Sequence, residues 1–317
     1  MKILVTGGAG FIGSNVVDAY VEMGHDCIVV DNLYSGKWEN LNPRAEFYLM
    51  DIRSDEFQRL VEKKRPHVIN HHAAQISVPE SVRDPRFDAS VNIDGFLNVL
   101  EAARRNSVQK IIFISSGGAI YGEAKEYPTS EAYNPVPLSP YAIAKAVSED
   151  YLRFYDHEYG LDYTVLRYAN IYGPRQIPHG EAGVVAIFMD RLLNGKKCTI
   201  YHYEDDAEGM IRDYCFVGDV VEANILALNK GSRGRFNIGT GIETKTLWLY
   251  RAIFDVMDER LGLDKDLMEP EFAQARPGDL KKSCLNVKLA EKELGWKARH
   301  NLREGLMKTL DWRLEKE

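Results

Sequence analysis

The chain of 317 residues predicts an α/β protein built on a doubly wound parallel sheet, with a smaller C-terminal α/β domain, and three observations carry that prediction. First, a β-prone start, Met1 to Val5, runs straight into the glycine-rich turn Thr6-Gly7-Gly8-Ala9-Gly10-Phe11-Ile12-Gly13 and then into a helix with Val16, Val17, Tyr20 and Val21 at apolar spacing. Second, apolar runs alternate with amphipathic helical stretches as far as Asn170, the mark of successive βαβ units. Third, small or polar residues close each run, where open α/β sheets bind their ligands.

The opening strand, turn and helix have the layout of a dinucleotide pyrophosphate site. Glycines let the backbone turn tightly against a diphosphate, and the free N–H groups and positive dipole end of the next helix hold the charge. Two registers fit: Gly8, Gly10, Gly13 and Gly7, Gly10, Gly13. A second apolar run, Cys27 to Val30, ends at Asp31, eighteen residues past Gly13, where a carboxylate can accept from an adenosine ribose hydroxyl. The same carboxylate repels a 2′-phosphate, so the expected cofactor is NAD rather than NADP.

Further strands are expected at Phe47 to Met50, His67 to Asn70, Lys110 to Ser115 and Tyr163 to Leu166. They end at Asp51-Ile52, His71-His72-Ala73-Ala74-Gln75, Ser115-Ser116-Gly117-Gly118 and Tyr168-Ala169-Asn170. Adjacent His71 and His72 point opposite ways on an extended chain and no ligand spacing completes a metal site, so none is expected.

Past residue 171 the pattern loosens, with loops at Gly173-Pro174, Pro178-His179-Gly180 and Glu204-Asp205-Asp206 and helices at Val184 to Leu193, Val220 to Leu228 and Leu247 to Leu261. Residues 1–170 are read as the cofactor domain and 171–317 as the substrate domain, lending one strand near 236–239 back to the first. The last fifty residues read as loop and short helix with a charged tail.

A formal net charge of −7 without a Lys/Arg block argues against nucleic acid. The four cysteines, Cys27, Cys198, Cys215 and Cys284, lack C-x-x-C or metal spacing and suit a reducing compartment. The apolar start breaks at Gly7 and no run reaches membrane-spanning length, so a soluble, cytoplasmic protein is expected.

Behind Ser139-Pro140, a good N-cap and first helical residue, Tyr141 and Lys145 fall at i and i+4 on one helix face. A phenol of pKa about 10 is a poor base at neutral pH, but a nearby ammonium and an oxidised nicotinamide favour the phenolate. The pair is the expected catalytic centre, and Lys145 can also hold the nicotinamide ribose.

Gly-Gly-Ala-Gly-Phe-Ile-Gly, Asp31-Asn32-Leu33, Asp51-Ile52, His71 to Gln75, Ser115 to Gly122, Tyr141 to Lys145 and Leu166 to Asn170 together resemble the extended short-chain dehydrogenase/reductase superfamily, whose first domain is Rossmann-like. With Arg212-Asp213-Tyr214 and Arg276-Pro277-Gly278-Asp279 they resemble the UDP-hexose 4-epimerases, the UDP-galactose/UDP-glucose type, over nearly the whole chain. The resemblance implies NAD held as a recycled cofactor by Gly7, Gly10, Phe11, Ile12, Gly13, Asp31, Asn32, Ser35, Gly36, Asp51, Ile52, Ala73, Ala74, Gln75, Ser115, Tyr141, Lys145 and Tyr168. It implies a UDP-sugar held by Ser116, Gly117, Asn170, Val184, Tyr201, Arg212, Arg276 and Ser283, and a homodimer packed through helices near 86–105 and 141–159. In the mechanism that the resemblance implies, Tyr141 takes the 4-hydroxyl proton while the C4 hydride moves to NAD, and the 4-keto sugar turns over and is reduced on its other face. Arg212 beside Asp213 also fits a surface ion pair, Tyr201 a core aromatic, and Asp219 a helix cap.

Two departures from the family pattern stand out. Its sugar-facing Ser or Thr is replaced by Gly117, so Tyr141 must act more directly, with Ser116 or a water filling the gap; and a lysine often found after the fourth strand is Ile76, leaving Gln75 or Ser77 to replace its contact. Gly117-Gly118-Ala119 offers no acid or base, which favours epimerisation over the elimination run by 4,6-dehydratase relatives. The gating position, seven residues after Arg276, is the small Ser283, which leaves room for a 2-acetamido group. Competing readings are a UDP-uronate epimerase, a keto-sugar reductase and, from another class, a non-catalytic NAD-binding regulator.

Overall fold

The computed structural model describes residues 1–178, 183–275 and 279–315. In chain order the elements are β1 (Lys2–Thr6), α1 (Phe11–Glu22), β2 (Asp26–Asp31), β3 (Glu46–Leu49), α2 (Asp55–Lys64), β4 (Val68–His71), α3 (Val78–Arg83), α4 (Pro85–Ala89), α5 (Gly95–Arg105), β5 (Lys110–Ser116), α6 (Pro140–Tyr159) and β6 (Asp162–Tyr168). They continue as β7 (Asn170–Tyr172), α7 (Val184–Leu193), β8 (Thr199–His202), β9 (Ile211–Arg212), β10 (Tyr214–Phe216), α8 (Val217–Ala227), β11 (Gly234–Ile238), β12 (Thr244–Lys245), α9 (Thr246–Leu261), β13 (Glu271–Gln274) and α10 (Leu302–Leu314).

A seven-stranded parallel sheet in the order β11-β6-β5-β4-β1-β2-β3 forms the frame. The chain begins at β1 in the middle, winds out to β3, then crosses to β4 and winds the other way. The crossing leaves a crevice beyond the carboxyl ends of β1 and β4, the place such sheets bind ligands. Near-continuous apolar strands such as Ile3-Leu4-Val5 and Ile111-Ile112-Phe113 are buried on both faces, as a helix-covered parallel sheet requires. On one face Val16, Val17 and Tyr20 of α1 pack with Val220 and Ala223 of α8 and with Trp296. On the other, Phe57 of α2, Phe96 and Val99 of α5 and Leu152 of α6 fill the core. A further core joins Phe188 and Met189 of α7, Tyr250 and Ile253 of α9 and Leu306 of α10.

Strand β11 pairs with β6 at the edge of the main sheet, Phe236 opposite Leu166. Two expectations need correction. The last stretch is not only loop and short helix: α10 runs for 13 residues from a capping box in which Asn301 and Glu304 satisfy each other's backbone N–H. Asp219 is no N-cap either, because α8 starts earlier, after Phe216. Asp219 instead accepts from the backbone N–H groups of Arg299 (3.1 Å) and His300 (3.2 Å), tying the C-terminal segment to α8. The four cysteines are buried and free. Among the described residues no helix is long and apolar enough to cross a membrane.

Candidate active site

Backbone geometry at the glycine turn selects the second register. Gly7 has φ +71°, and a Cβ there would stand 2.6 Å from the Ala73 nitrogen; a Cβ on Gly13 would stand 2.3 Å from the Gly7 carbonyl oxygen. Gly8 instead faces Val29 of β2. Gly10 N–H closes the turn on the Gly7 carbonyl at 3.1 Å, and Gly10 caps α1 without any side chain over the helix end. The first-turn N–H groups are thereby left for an anion.

This turn opens on a cavity of about 480 Å³. Around it stand Phe11 and Ile12 of α1, Asp31, Asn32 and Ser35 after β2, Asp51 and Ile52 after β3, and Ala73, Ala74 and Gln75 after β4. Ser115, Ser116, Tyr141, Lys145, Tyr168, Asn170 and Val184 close its other end. Gly36 stands outside this lining, pressed so closely on Asp31 that a Cβ would sit 2.8 Å from Oδ1. Asp31 is held rigidly: Ala9 N–H donates to Oδ2 at 3.0 Å and Leu33 N–H to Oδ1 at 2.8 Å. Burial raises its pKa, and those two bonds oppose the shift. Asp51 is pulled down to about 2, chiefly by Arg53, and also accepts from Asn32 at 3.1 Å. A glycine cradle, a helix end and a fixed carboxylate in one cavity fit a dinucleotide without a 2′-phosphate.

Tyr141 and Lys145 lie in the first turns of α6, where the Ser139 hydroxyl accepts from Ala142 N–H at 3.2 Å and Pro140 starts the helix. Burial pushes the Tyr141 phenol up to about 12; its hydrogen bond with Ser116 pulls the other way, and Asp88 adds to the rise. Burial brings Lys145 down to about 8 against the attraction of Asp88 and Glu149. Lys145 Nζ donates to the Ile114 carbonyl at 2.9 Å and lies 5.9 Å from the centre of the Tyr141 ring.

Beneath the pair runs a buried network that sequence reasoning missed. Arg167 on β6 grips Glu149 of α6 with Nε at 3.0 Å and Nη2 at 2.6 Å, and its Nη1 donates to Tyr121 Oη at 2.7 Å. Ser115 donates to the same Glu149 at 2.6 Å, and Tyr121 passes the chain on to Asn237 of β11 at 2.8 Å. A second cluster, also missed, forms where Ser90–Asp94 makes a π-helical turn: Asn92 exchanges hydrogen bonds with the Gln75 backbone and, with the Gln75 amide, holds Asp88. Gln75 also bonds the Ser77 backbone, so its amide is committed to the protein rather than offered in place of the family lysine. Ile76 lines the cavity, 49% exposed. His71 shares a 2.8 Å hydrogen bond with Thr6 and packs against the rings of Phe96 and Phe113, which also touch each other.

On the sugar side, Asn170 is anchored by its N–H to the Asp213 carbonyl at 2.9 Å. A Cβ on Gly118 would lie 3.5 Å from Asn170 Oδ1 and 4.0 Å from Ser283 Oγ, so those two side chains converge. Gly117, Tyr201, Arg212 and Ser283 are outside the lining of the main cavity. Arg212 does not pair with its neighbour: Asp213 faces away and accepts from Thr240 and Gly241. The half-buried guanidinium donates to the Ile211 carbonyl at 2.9 Å, and burial lowers its pKa. Tyr201 is half-buried on β8. Arg276 lies outside the described residues.

Fold and site thus define a nucleotide-binding oxidoreductase-type centre. The NAD dependent epimerase/dehydratase family model matches residues 3–239, and the chain belongs to this family. It is 45% identical to the UDP-glucose 4-epimerase of Mycolicibacterium smegmatis, covering 98% of both chains. Among solved structures it is similar to the UDP-glucose 4-epimerase of Thermotoga maritima with UDP-glucose (50% identity, TM-score 0.93, 100% and 99% covered). It is similar too to that of Thermus thermophilus with NAD (44%, 0.88, 99% of each).

Proposed function

We propose that this protein interconverts UDP-hexoses at C4, UDP-galactose with UDP-glucose and also UDP-GalNAc with UDP-GlcNAc, with NAD retained through the cycle. The observation that carries this reading is the presence of Tyr141 and Lys145 in the same cavity as the Gly7 turn and Asp31. The glycine turn holds the pyrophosphate and Asp31 the adenosine ribose. When bound, NAD supplies the hydride acceptor and a positive ring that favours the Tyr141 phenolate. Tyr141 then takes the proton of the sugar 4-hydroxyl and later returns it. Lys145, charged below about pH 8, stabilises the phenolate from the same helix face. Around C5 and C6 of the sugar, Gly117-Gly118-Ala119 supplies no acid or base, which supports simple epimerisation over loss of water.

The UDP is gripped mainly by residues of 171–317: Arg212 and Arg276 on the phosphates, and Val184 and Tyr201 around the nucleotide, joined by Asn170 from the end of the first domain. Ser116, Gly117 and Ser283 face the hexose, and small Ser283 admits the acetamido group. Exposed Ile143, Phe154 and Tyr159 on α6 support pairing of α5 and α6 with a second copy. Free, buried cysteines fit a reducing cytoplasm.

Turnover of UDP-galactose, read by NMR of the C4 epimers, tests the assignment. Wild-type protein should equilibrate the sugars and Tyr141→Phe should lose activity by at least about 10²-fold; substantial epimerisation by that variant removes Tyr141 from the chemistry.

A further inference from the structure

We infer that Tyr34 and Phe87 form an aromatic clasp at the mouth of the cavity, which packs on the adenine of NAD and sets how slowly the cofactor leaves. The inference rests on NAD as the cofactor and not on which sugar is turned over. Tyr34 stands three residues after Asp31, in the loop that follows β2, and Phe87 stands on α4, in the connection after β4. Those two strands flank β1, so the rings reach towards each other from either side of the glycine turn. Both line the cavity, yet Tyr34 is 67% exposed and Phe87 only half-buried. Their ring centres lie 6.0 Å apart at an angle of 50°, tilted rather than stacked face to face, so a third flat ring can pack against them. Arg53 also lines the cavity, its guanidinium carbon 5.9 Å from the centre of the Phe87 ring, and adds a cation to the aromatic pair.

Both halves of the clasp are held from behind. The Asn32 side chain accepts from Tyr34 N–H at 3.0 Å and donates to Asp51 at 3.1 Å, which fixes the loop after β2 to the end of β3. On the other side the Asp84 carboxylate accepts from Phe87 N–H at 2.9 Å and so caps α4. Arg53 ties the two sides together: Nε and Nη2 donate to Asp51 at 2.9 Å and 2.8 Å, and Nη1 donates to Ser90 Oγ at 3.1 Å, three residues past Phe87. The occupant follows from the ligand's own connectivity. A base is bonded directly to the ribose assigned to Asp31, so it lies beside the loop that carries Tyr34, where Tyr34 and its neighbour Phe87 present flat apolar faces. Base and rings leave water together when they pack, which is why stacking on an aromatic side chain holds a base without reading its edge.

Exchange of bound radiolabelled NAD for unlabelled NAD, followed in the purified holoenzyme, tests this in Tyr34→Ala, Tyr34→Trp and Phe87→Ala. Each alanine variant should speed exchange on the order of 10-fold, and Tyr34→Trp, which keeps a flat face, should exchange close to the wild-type rate. Displacement of the labelled NAD at equilibrium separates loss of the adenine contact from general damage to the site. In Tyr34→Ala, nicotinamide mononucleotide, which lacks the adenine half, should gain on NAD as a competitor by about the same factor of 10, whereas ADP-ribose, which keeps that half, should not. A wild-type exchange rate in either alanine variant overturns the inference, as does exchange in Tyr34→Trp as fast as in Tyr34→Ala, or a mononucleotide that gains nothing on NAD. Wild-type protein that takes up no NAD overturns the clasp together with the cofactor assignment. Wild-type protein that holds NAD but epimerises no UDP-hexose, with fast exchange in the alanine variants, would sink the epimerase reading and leave the clasp standing.

Discussion

Lys145 is placed where its charge is costly. Burial lowers it from 10.5 to about 8, so keeping the ammonium in the fold at neutral pH costs on the order of 3 kcal/mol. The unfolded chain binds the extra proton between these values, so this residue's contribution makes stability rise with pH across that window and its cost is fully present below pH 8. Lys145→Met should accordingly raise the melting temperature of the protein at pH 7 while removing turnover; an unchanged or lower value contradicts the buried charge. Ser283 makes a different prediction. Ser283→Tyr should suppress turnover of the acetamido sugars selectively, and equal losses on both sugar pairs refute a gate there. The glycines, Asp31, Tyr141 and Lys145 were legible because each belongs to a local pattern a few residues long. Gly117 was only half legible: the missing hydroxyl showed in the sequence, but Leu285, whose methyl carbons a Cβ at Gly117 would meet at 2.5 Å and 3.0 Å, arrives from far along the chain.

The site depends on how α6 is fixed to the sheet. Glu149 sits one turn past Lys145, with only 2% of its surface exposed, and Arg167 holds it with paired hydrogen bonds from the next strand. Removing the carboxylate leaves a buried guanidinium without its main partner, which costs about 3–5 kcal/mol. Glu149→Ala should therefore lower the urea midpoint sharply at unchanged m-value, and a loss below about 1 kcal/mol would contradict the pairing. The elements themselves were legible from period and turn chemistry, whereas this pair was not. Its members are 18 residues apart, on different elements, and periodicity carries no information about which side chains of a helix and a strand meet. The start of α8 was missed for a related reason: Val217-Gly218 looks like a loop, and Asp219 looks like a cap until Arg299 and His300 are seen bound to it. By contrast, the capping box of α10 was written in Asn301 and Glu304 and went unread among the charged residues of the tail.

For the whole molecule, the sheet order decides where chemistry occurs. Winding outward from β1 in both directions brings the glycine turn, Asp31, Ser116 and Tyr141 to one cavity at one edge of one sheet. That arrangement was legible from alternation alone. The stretch after residue 171 was less so, because several of its strands are short, β9 and β12 having only two residues each, and carry little pattern. The central claim is that one hydride leaves C4 and returns to it while the cofactor stays bound. The most direct measurement is to give the purified protein, with no added cofactor, UDP-galactose carrying deuterium at C4, and to follow the sugars by NMR in ordinary water. UDP-glucose that keeps its deuterium at C4 is the predicted result. UDP-glucose whose C4 deuterium has been replaced from solvent, or no C4 epimer even after NAD is added, would contradict the account.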